Sequence, residues 1–364
     1  MELLGKTKQE LQAYCQSLGE PVYRGAQLYH ALYAERNLDV TSMTNLSAAL
    51  RDKLRAQAHV TLPSIKHKYP SSDGSVRYLF ALPAPEEQTR MKSASVEAVF
   101  MPSQSRQTIC VSTQAGCAVD CRFCLTAQLG LIRNLTPGEI LAQVLLPLIE
   151  MAEPAEAEDG LAARTNVVLM GQGEPLLNFD NVFRALRILL DKGGVGLSPK
   201  HVTLSTSGIV PGIERMAEEP VRPKLAISLN ASNDEQRDKL MPINKKYPLK
   251  DLLRACRRYP LRNWEHITFE YVMLGGVNDT PDDARRVVKL LAPLKSVKVN
   301  LIPWNPGELP FHESQEPTIE TFRYILTERG VPAFVRYSRG RDVMAACGQL
   351  ALREIQSSPL RVVG

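Results

Sequence analysis

No stretch of this 364-residue chain approaches the 18 consecutive apolar residues that a membrane-spanning helix needs. Its first residues, Met1-Glu-Leu-Leu-Gly-Lys-Thr-Lys, lack the apolar core of a secretory signal, so a cytoplasmic protein with no membrane partner is expected. Nor is there a large charge of one sign. The net charge of +5 admits a nucleic-acid partner without arguing for one. The six histidines show no paired spacing of a metal site, and seven cysteines, an odd number, do not read as a disulfide framework. In a compartment that keeps thiols reduced, clustered cysteines mean metal or redox chemistry.

What is present is concentrated in Gln114-Ala-Gly-Cys117-Ala-Val-Asp-Cys121-Arg-Phe-Cys124, a C-x3-C-x2-C spacing that follows an apolar strand. Three thiols cannot close a four-thiolate shell, so a metal centre bound here keeps one position open, as reactive centres do and structural zinc sites do not. Soft thiolates select zinc, Cu(I) or iron–sulfur clusters.

Residues 1–60 read as a compact helical accessory unit. Thr7-Lys-Gln-Glu10 is a capping box, two further helices fall at 23–33 and 46–54, and Arg51, Lys53 and Arg55 decorate the third. A solvated cap and a nucleic-acid docking surface are both compatible with it. Residues 61–103 turn to strands at 64–69, 76–82 and 95–101, with a hairpin turn at Ser71-Ser-Asp-Gly74. From 104 to 350 apolar strands alternate with helices. The strands are expected at 108–112, 166–170, 201–205, 224–228, 267–273, 298–302 and 333–337, a β/α pattern that argues for a parallel sheet or barrel. About six repeats are too few for eight strands, so the expected fold is an open α/β barrel of six units, (β/α)6. Residues 153–164 read as a solvated acidic loop, and 351–364 as a C-terminal tail.

The unusual polar motifs nearly all follow a strand: the three cysteines, Gly171-Gln-Gly-Glu-Pro175, Ser205-Thr-Ser-Gly208, Ser228-Leu-Asn230, Trp304-Asn-Pro306, and Arg339-Gly-Arg-Asp342 with Cys347. In parallel α/β folds those strand ends meet on one face, where active sites lie. Glycines there let a ligand approach the main chain, and Glu174 suits an ammonium group or, more blandly, a helix start. Ser205 and Asn305 suit a ribose or carboxylate, or a cap. Arg339 and Arg341 beside Cys347 are expected to lower its pKa, although a lone cysteine between alanines more often packs as a small hydrophobe. Cys110, Cys15 and Cys256 read as core. Glu97, alternating with apolar neighbours, reads as a solvent-facing strand carboxylate. The loop Met241-Pro-Ile-Asn-Lys245-Lys246-Tyr247, with Arg254, Arg257 and Arg258 after it, has the cations and ring that hold looped RNA.

The C-x3-C-x2-C spacing resembles that of the radical SAM enzymes, and nearly the whole chain resembles the RlmN family of RNA methyltransferases. The matching stretches are Tyr23-Arg-Gly-Ala-Gln-Leu-Tyr, Val96-Glu-Ala-Val, Cys110-Val-Ser-Thr-Gln-Ala-Gly-Cys, Cys121-Arg-Phe-Cys, Gly173-Glu-Pro-Leu-Leu-Asn, Leu204-Ser-Thr-Ser-Gly, Leu240-Met-Pro-Ile-Asn-Lys-Lys-Tyr-Pro, Asn300-Leu-Ile-Pro-Trp-Asn-Pro and Ala345-Ala-Cys-Gly-Gln-Leu. The resemblance implies a radical SAM barrel in which Cys117, Cys121 and Cys124 hold a [4Fe–4S] cluster. Gly173, Glu174, Ser205, Ser228, Leu229, Asn230 and Asn305 then cradle S-adenosylmethionine (SAM). It implies methylation of adenosine C2 in 23S rRNA and tRNA through an S-methylated Cys347. Cys110 resolves the adduct, leaving a disulfide, and Glu97 accepts the C2 proton. It further implies a monomer fed by a flavodoxin or ferredoxin-like electron donor. Two positions depart from the family pattern: Gln172 stands where methionine is expected and Asn230 where histidine is expected. The competing readings are Cfr-like methylation at C8, a radical SAM enzyme acting on a protein or small molecule, and a non-catalytic, metal-stapled RNA-binding protein.

Overall fold

The computed structural model describes residues 1–83, 94–151 and 165–351. The acidic loop expected at 153–164 and nearly all of the 351–364 tail lie outside the described residues. Helices α1 (Lys8–Ser17), α2 (Val22–Tyr33) and α3 (Ala48–Gln57) form the N-terminal unit. The Thr7–Glu10 capping box starts α1 as expected, with the Thr7 side chain accepting from the Glu10 N–H and the Glu10 carboxylate accepting from the Thr7 N–H. The unit sits tightly on the main body. A side chain on Gly5, whose φ is +88°, would fall 2.7 Å from the Gly138 nitrogen, and Arg184 pairs with Glu10. Of the cations on α3, Lys53 pairs with Glu20 and Arg55 with Asp52.

Ten strands form one sheet. β1 (Ser64–Pro70), β2 (Val76–Leu82), β3 (Ala94–Pro102) and β4 (Gln107–Cys110) pair antiparallel. From β4 the pairing becomes parallel through β7 (Thr165–Leu169), β8 (Val202–Thr206), β9 (Lys224–Ser228), β10 (Ile267–Met273), β11 (Val297–Pro303) and the short β12 (Ala333–Val335). The helices fall between these strands: α5 (Pro137–Glu150), α6 (Phe179–Leu190), α7 (Val210–Glu218), α8 (Asp234–Leu240), α9 (Leu249–Arg258), α10 (Pro281–Leu291) and α11 (Glu316–Glu328). This is the open α/β barrel expected, with β12 a short seventh parallel strand at its edge. Among the described residues no helix is long and apolar enough to cross a membrane.

In β7 and β8 burial alternates strictly between buried and half-buried residues. The buried set (Val167, Leu169, Val202, Leu204) joins the helices in the core. The half-buried set (Asn166, Val168, Thr203, Ser205) lines an interior that solvent reaches. Period-2 alternation thus builds a hollow rather than a packed barrel. Two elements were not anticipated: the hairpin of β5 (Gln114–Gly116) and β6 (Leu131–Asn134), and the single turn α4 (Leu125–Gln128). Each is three or four residues long, too short for a periodic signal.

Candidate active site

The three clustered cysteines lie in the loop of the β5–β6 hairpin, not directly after the 108–112 strand. The hairpin closes tightly. Gly116 has φ +75°, and a Cβ there would fall 1.8 Å from the Gly130 carbonyl oxygen, so only glycine fits. The Cys117 N–H donates to that carbonyl at 3.0 Å, and the Arg122 N–H donates to Leu240 C=O at 2.9 Å. Asn178 braces the hairpin from below, donating at 2.8 Å to the carbonyls of both Thr113 and Leu135.

Burial pushes the Cys117 thiol up to about 12 and raises the Cys121 thiol well above its ordinary value, and the charges of the neighbouring thiols and Glu174 add to both shifts. Three thiolates so crowded are stable only against bound cations. Among the described residues no three His, Cys, Asp or Glu side chains close on a single ion. An iron–sulfur cluster asks instead for one thiolate per iron, and the loop's all-sulfur donor set fits that demand.

Cys347 lies against this loop. Two bonds tie its segment to the loop and a third ties it to the end of β11: the Leu125 N–H donates to Gly348 C=O at 2.8 Å, Thr126 Oγ1 donates to Leu350 C=O at 2.6 Å, and Asn305 Nδ2 donates to Cys347 C=O at 3.2 Å. Cys124 and Glu270 are within electrostatic reach of the Cys347 thiol, and Cys110 is within reach of Cys347 in turn. Cys110 packs with Val99, Ala345 and Leu350. The Cys347 side chain is exposed, yet protein surrounds it, as on the floor of a recess. Burial therefore pushes its thiol up to about 11. The lowered pKa expected from Arg339 and Arg341 does not occur. Arg339 donates to Pro102 C=O and Arg341 pairs with Glu313, so neither serves the thiol. Cys15 and Cys256 are buried in the core as expected.

Glu97 is a second correction. It is fully buried, not solvent-facing, and forms an ion pair with the equally buried Arg77 of β2. Gln172 Nε2 donates to its carboxylate at 3.4 Å, and Ser112 Oγ donates to its main-chain carbonyl at 2.6 Å. Gln172 also reaches Leu350 C=O at 3.4 Å. The unexpected glutamine therefore bridges the carboxylate to the Cys347 segment.

The residues expected around a small ligand divide in two. Gly173 has φ +96°, and a Cβ there would meet the Gln114 side chain at 2.5 Å. Ser205 and Ser228 are half-buried on the inner wall, with Ser228 paired to Glu270. Asn305 also donates to Ser338 Oγ at 2.9 Å. Glu174 is buried and accepts from the N–H groups of Leu176 (3.0 Å) and Ser207 (2.7 Å), the bland helix-start reading, although it stays within reach of Cys117 and Cys121. Leu229 is wholly buried, with its N–H donating to Glu270 C=O and its C=O accepting from Arg237, so no polar group is left for a ligand. Asn230 has φ +55°, a conformation asparagine tolerates better than most residues, and its Oδ1 accepts from the Val272 N–H at 2.8 Å.

Sequence reasoning missed Arg237. It is fully buried and donates to Leu229 C=O, Asn244 Oδ1, Ser207 C=O and Ser228 C=O at 2.7–3.1 Å. It ties the ends of β8 and β9 together and sets a positive charge near Cys121. Within α8 every residue but Leu240 is polar, so nothing in the sequence marks Arg237 as the buried one. In the 241–247 loop Met241 and Asn244 are buried, whereas Lys245 and Lys246 are exposed, Lys246 over the Tyr247 ring.

Residues 111–291 match the family described as the Radical SAM superfamily, and residues 1–60 match the Ribosomal RNA large subunit methyltransferase N-terminal domain. Among curated proteins, a "Probable dual-specificity RNA methyltransferase RlmN" from Koribacter versatilis is 47% identical over 93% of the chain and 98% of that protein. A "Dual-specificity RNA methyltransferase RlmN" from Anaeromyxobacter dehalogenans is 44% identical over 99% of the chain and 94% of its own length. The crystal structure of a radical SAM methyltransferase from Sphaerobacter thermophilus superposes with a TM-score of 0.87 at 40% identity, covering 97% of this chain and 100% of that one.

Proposed function

The chain belongs to the RlmN family of dual-specificity radical SAM RNA methyltransferases, and on that premise we propose that it methylates C2 of adenosine in 23S rRNA and tRNA by way of a methyl group carried on Cys347. The observation that carries the proposal is the placement of Cys347, exposed in a recess, bonded through its own segment to the cysteine loop and within reach of Cys110.

Cys117, Cys121 and Cys124 would hold the cluster, and the Gly173 turn, Glu174, Ser205, Ser228 and Asn305 would surround SAM. When bound, the two together would supply radical chemistry strong enough to draw hydrogen from an S-methyl group. Carbon 2 of adenine is electrophilic, so a plain methyl transfer to it fails and a protein-borne carbon is needed. Cys347 supplies its sulfur as that carrier. Glu97, oriented by its buried pairing with Arg77, would take the C2 proton. The Cys110 thiolate would attack the Cys347 sulfur; as the S–S bond forms, the carbon–sulfur bond breaks, its electron pair passes to the RNA-bound carbon, which takes a proton to become the methyl group, and a Cys110–Cys347 disulfide remains. Two electrons from an external donor of the flavodoxin or ferredoxin type then restore both thiols. Such a cycle needs the reducing cytosol. The target base must leave its stack to reach the recess, at a cost of a few kcal/mol.

Anaerobic reconstitution with iron and sulfide, followed by dithionite, SAM and an RNA substrate, tests this reading. It predicts 5′-deoxyadenosine and 2-methyladenosine, the modified carbon being mapped by mass spectrometry and NMR of digested RNA. Methyl at C8 would move the assignment to the other ring, and a redox-silent metal with no SAM consumption would remove the enzyme reading altogether.

A further inference from the structure

Gln172 lies in the turn after β7, and the glycine before it decides where its side chain goes. A Cβ on Gly171 would fall 2.7 Å from Ser112 Oγ and 2.8 Å from the Val111 carbonyl, so the turn presses directly against the end of β4. The main chain of Gln172 is engaged there. Its N–H donates to Ser112 Oγ at 2.8 Å, and its C=O accepts from the N–H groups of Thr113 and Gln114 at 2.9 and 3.3 Å. These bonds survive any change of side chain. The side chain itself turns to β3 and is buried there.

Side chain and main chain together close a ring of hydrogen bonds around Glu97. The Gln172 N–H donates to Ser112 Oγ, Ser112 Oγ donates to Glu97 C=O at 2.6 Å, the Glu97 N–H donates to Gln172 Oε1 at 3.3 Å, and Gln172 Nε2 donates to Glu97 Oε2 at 3.4 Å. Arg77 engages the other carboxylate oxygen, Oε1. All four residues are buried. The strand register sets this ring beside the thiols. Val99 lies opposite Cys110, and Glu97, two residues along β3, shares the face of Val99. On that face Val99 packs in one cluster with Cys110, Ala345 and Leu350. Gln172 Nε2 also reaches Leu350 C=O at 3.4 Å, three residues past Cys347. Oε2 is therefore the carboxylate oxygen on the side of the Cys347 segment.

The last torsion of a glutamate side chain is soft, and a donor on each oxygen fixes the plane of the carboxylate. For a group that must take a proton from one particular carbon, that plane matters: a misplacement of about 1 Å costs on the order of a hundredfold in rate. Methionine, the residue expected at 172, has the length of glutamine and no N–H to give. We propose that Gln172 is a positioning residue for proton transfer from C2, its amide setting the plane of Glu97 and turning Oε2 toward the adenine joined to Cys347. In that step the C2–H bond breaks, the proton passes to Oε2, and the bonding pair stays in the purine ring. This inference rests on the reading of Glu97 given above and adds to it the residue that aims the carboxylate.

The reconstituted full chain, acting on a stem-loop RNA with protium or deuterium at C2 of the target adenosine, tests it. Q172M keeps the length of the side chain and removes its N–H groups. Methylation of Cys347, which does not involve Glu97, is expected to reach the wild-type extent in this variant, and so reports that it folds and loads its cluster. Release of 2-methyladenosine at saturating RNA is expected to slow at least about tenfold, with the RNA–protein adduct accumulating. The deuterium isotope effect on release should exceed that of the wild type, since proton transfer becomes the slow step. Added to E97Q, Q172M should slow adduct breakdown no further, because a residue that acts through Glu97 has nothing left to aim. Should Q172M not load its cluster, Q172N, whose amide is withdrawn by one methylene, carries the same expectations. Release at the wild-type rate with no adduct overturns the positioning role and leaves the function standing. Slower release without a larger isotope effect, or an equal slowing with and without Glu97, overturns it too, since the glutamine then serves something else. A wild-type chain that forms no 2-methyladenosine overturns the function itself.

Discussion

The N–H of Leu125, one residue past Cys124, donates to the main-chain carbonyl of Gly348, one residue past Cys347, at 2.8 Å. The cysteine loop and the Cys347 segment are thus locked in register by main-chain atoms, with Thr126 and Asn305 adding bonds on either side.

Gly348 has φ +80°, so G348A forces a side chain into the left-handed region at a cost of roughly 1–2 kcal/mol. The strain is expected to shift Cys347 while the three cluster thiols keep their places. The variant should show the iron–sulfur absorbance of the wild type after reconstitution, together with a loss of Cys347 methylation measured by peptide mass.

This relationship was only partly legible beforehand. Strand–helix alternation, with glycine-rich or polar residues after each strand, was enough to place Cys347, the cysteine loop and Asn305 on one face. Glu97 was misread because one polar residue in an apolar strand is ordinarily the solvent-facing one. Here β3 is covered on both sides, and the charge is answered by Arg77 two positions off on β2. A lone cation in the apolar β2 and a lone carboxylate in the apolar β3 were the available signal. Arg237 had none, since its burial depends on four acceptors brought together by tertiary structure.

Removing Arg77 by R77M leaves a buried carboxylate without its cation, and breaking such a pair costs about 3–5 kcal/mol. Urea unfolding should show a midpoint lowered accordingly. E97Q keeps the shape but leaves the buried Arg77 cation without its anion, so its urea midpoint should fall as well. The folded fraction should methylate Cys347 and stall with RNA attached to the protein.

Replacing Arg237 by methionine orphans the carbonyls of Ser207, Ser228 and Leu229, each worth about 1–3 kcal/mol when buried unsatisfied. A loss of at least about 3 kcal/mol is expected in urea unfolding, accompanied by weaker iron retention, because the charge beside Cys121 is removed as well.

The segment from Arg339 to Asp342 straps β12 to the β1–β2 turn. Gly340 donates its N–H to Asp73 at 2.9 Å, and Ser72 donates its N–H to Asp342 at 2.9 Å. Hydrogen bonds from Ser75 and Gly340 outweigh burial and hold the Asp73 carboxyl well below the usual range, and Asp342 is lowered likewise by Ser71 and Ser72. A depressed folded-state pKa contributes stability above the unfolded value of about 4, and loses it as pH falls through the folded value. The melting temperature of D73N should therefore lie below that of the wild type at pH 7, with the gap closing as the pH drops below about 4.

Without its resolving thiol, C110A should retain the RNA adduct. A protein–RNA crosslink stable on denaturing gels is expected, and freely released methylated RNA from this variant would refute the role of Cys110.

The most direct measurement is the mass of the Cys347-containing peptide from protein isolated with its cluster intact. The account predicts a one-methylene increment on Cys347 that disappears in C347A and in a variant lacking the three cluster cysteines. An unmodified Cys347 in protein that nevertheless produces 2-methyladenosine would contradict it.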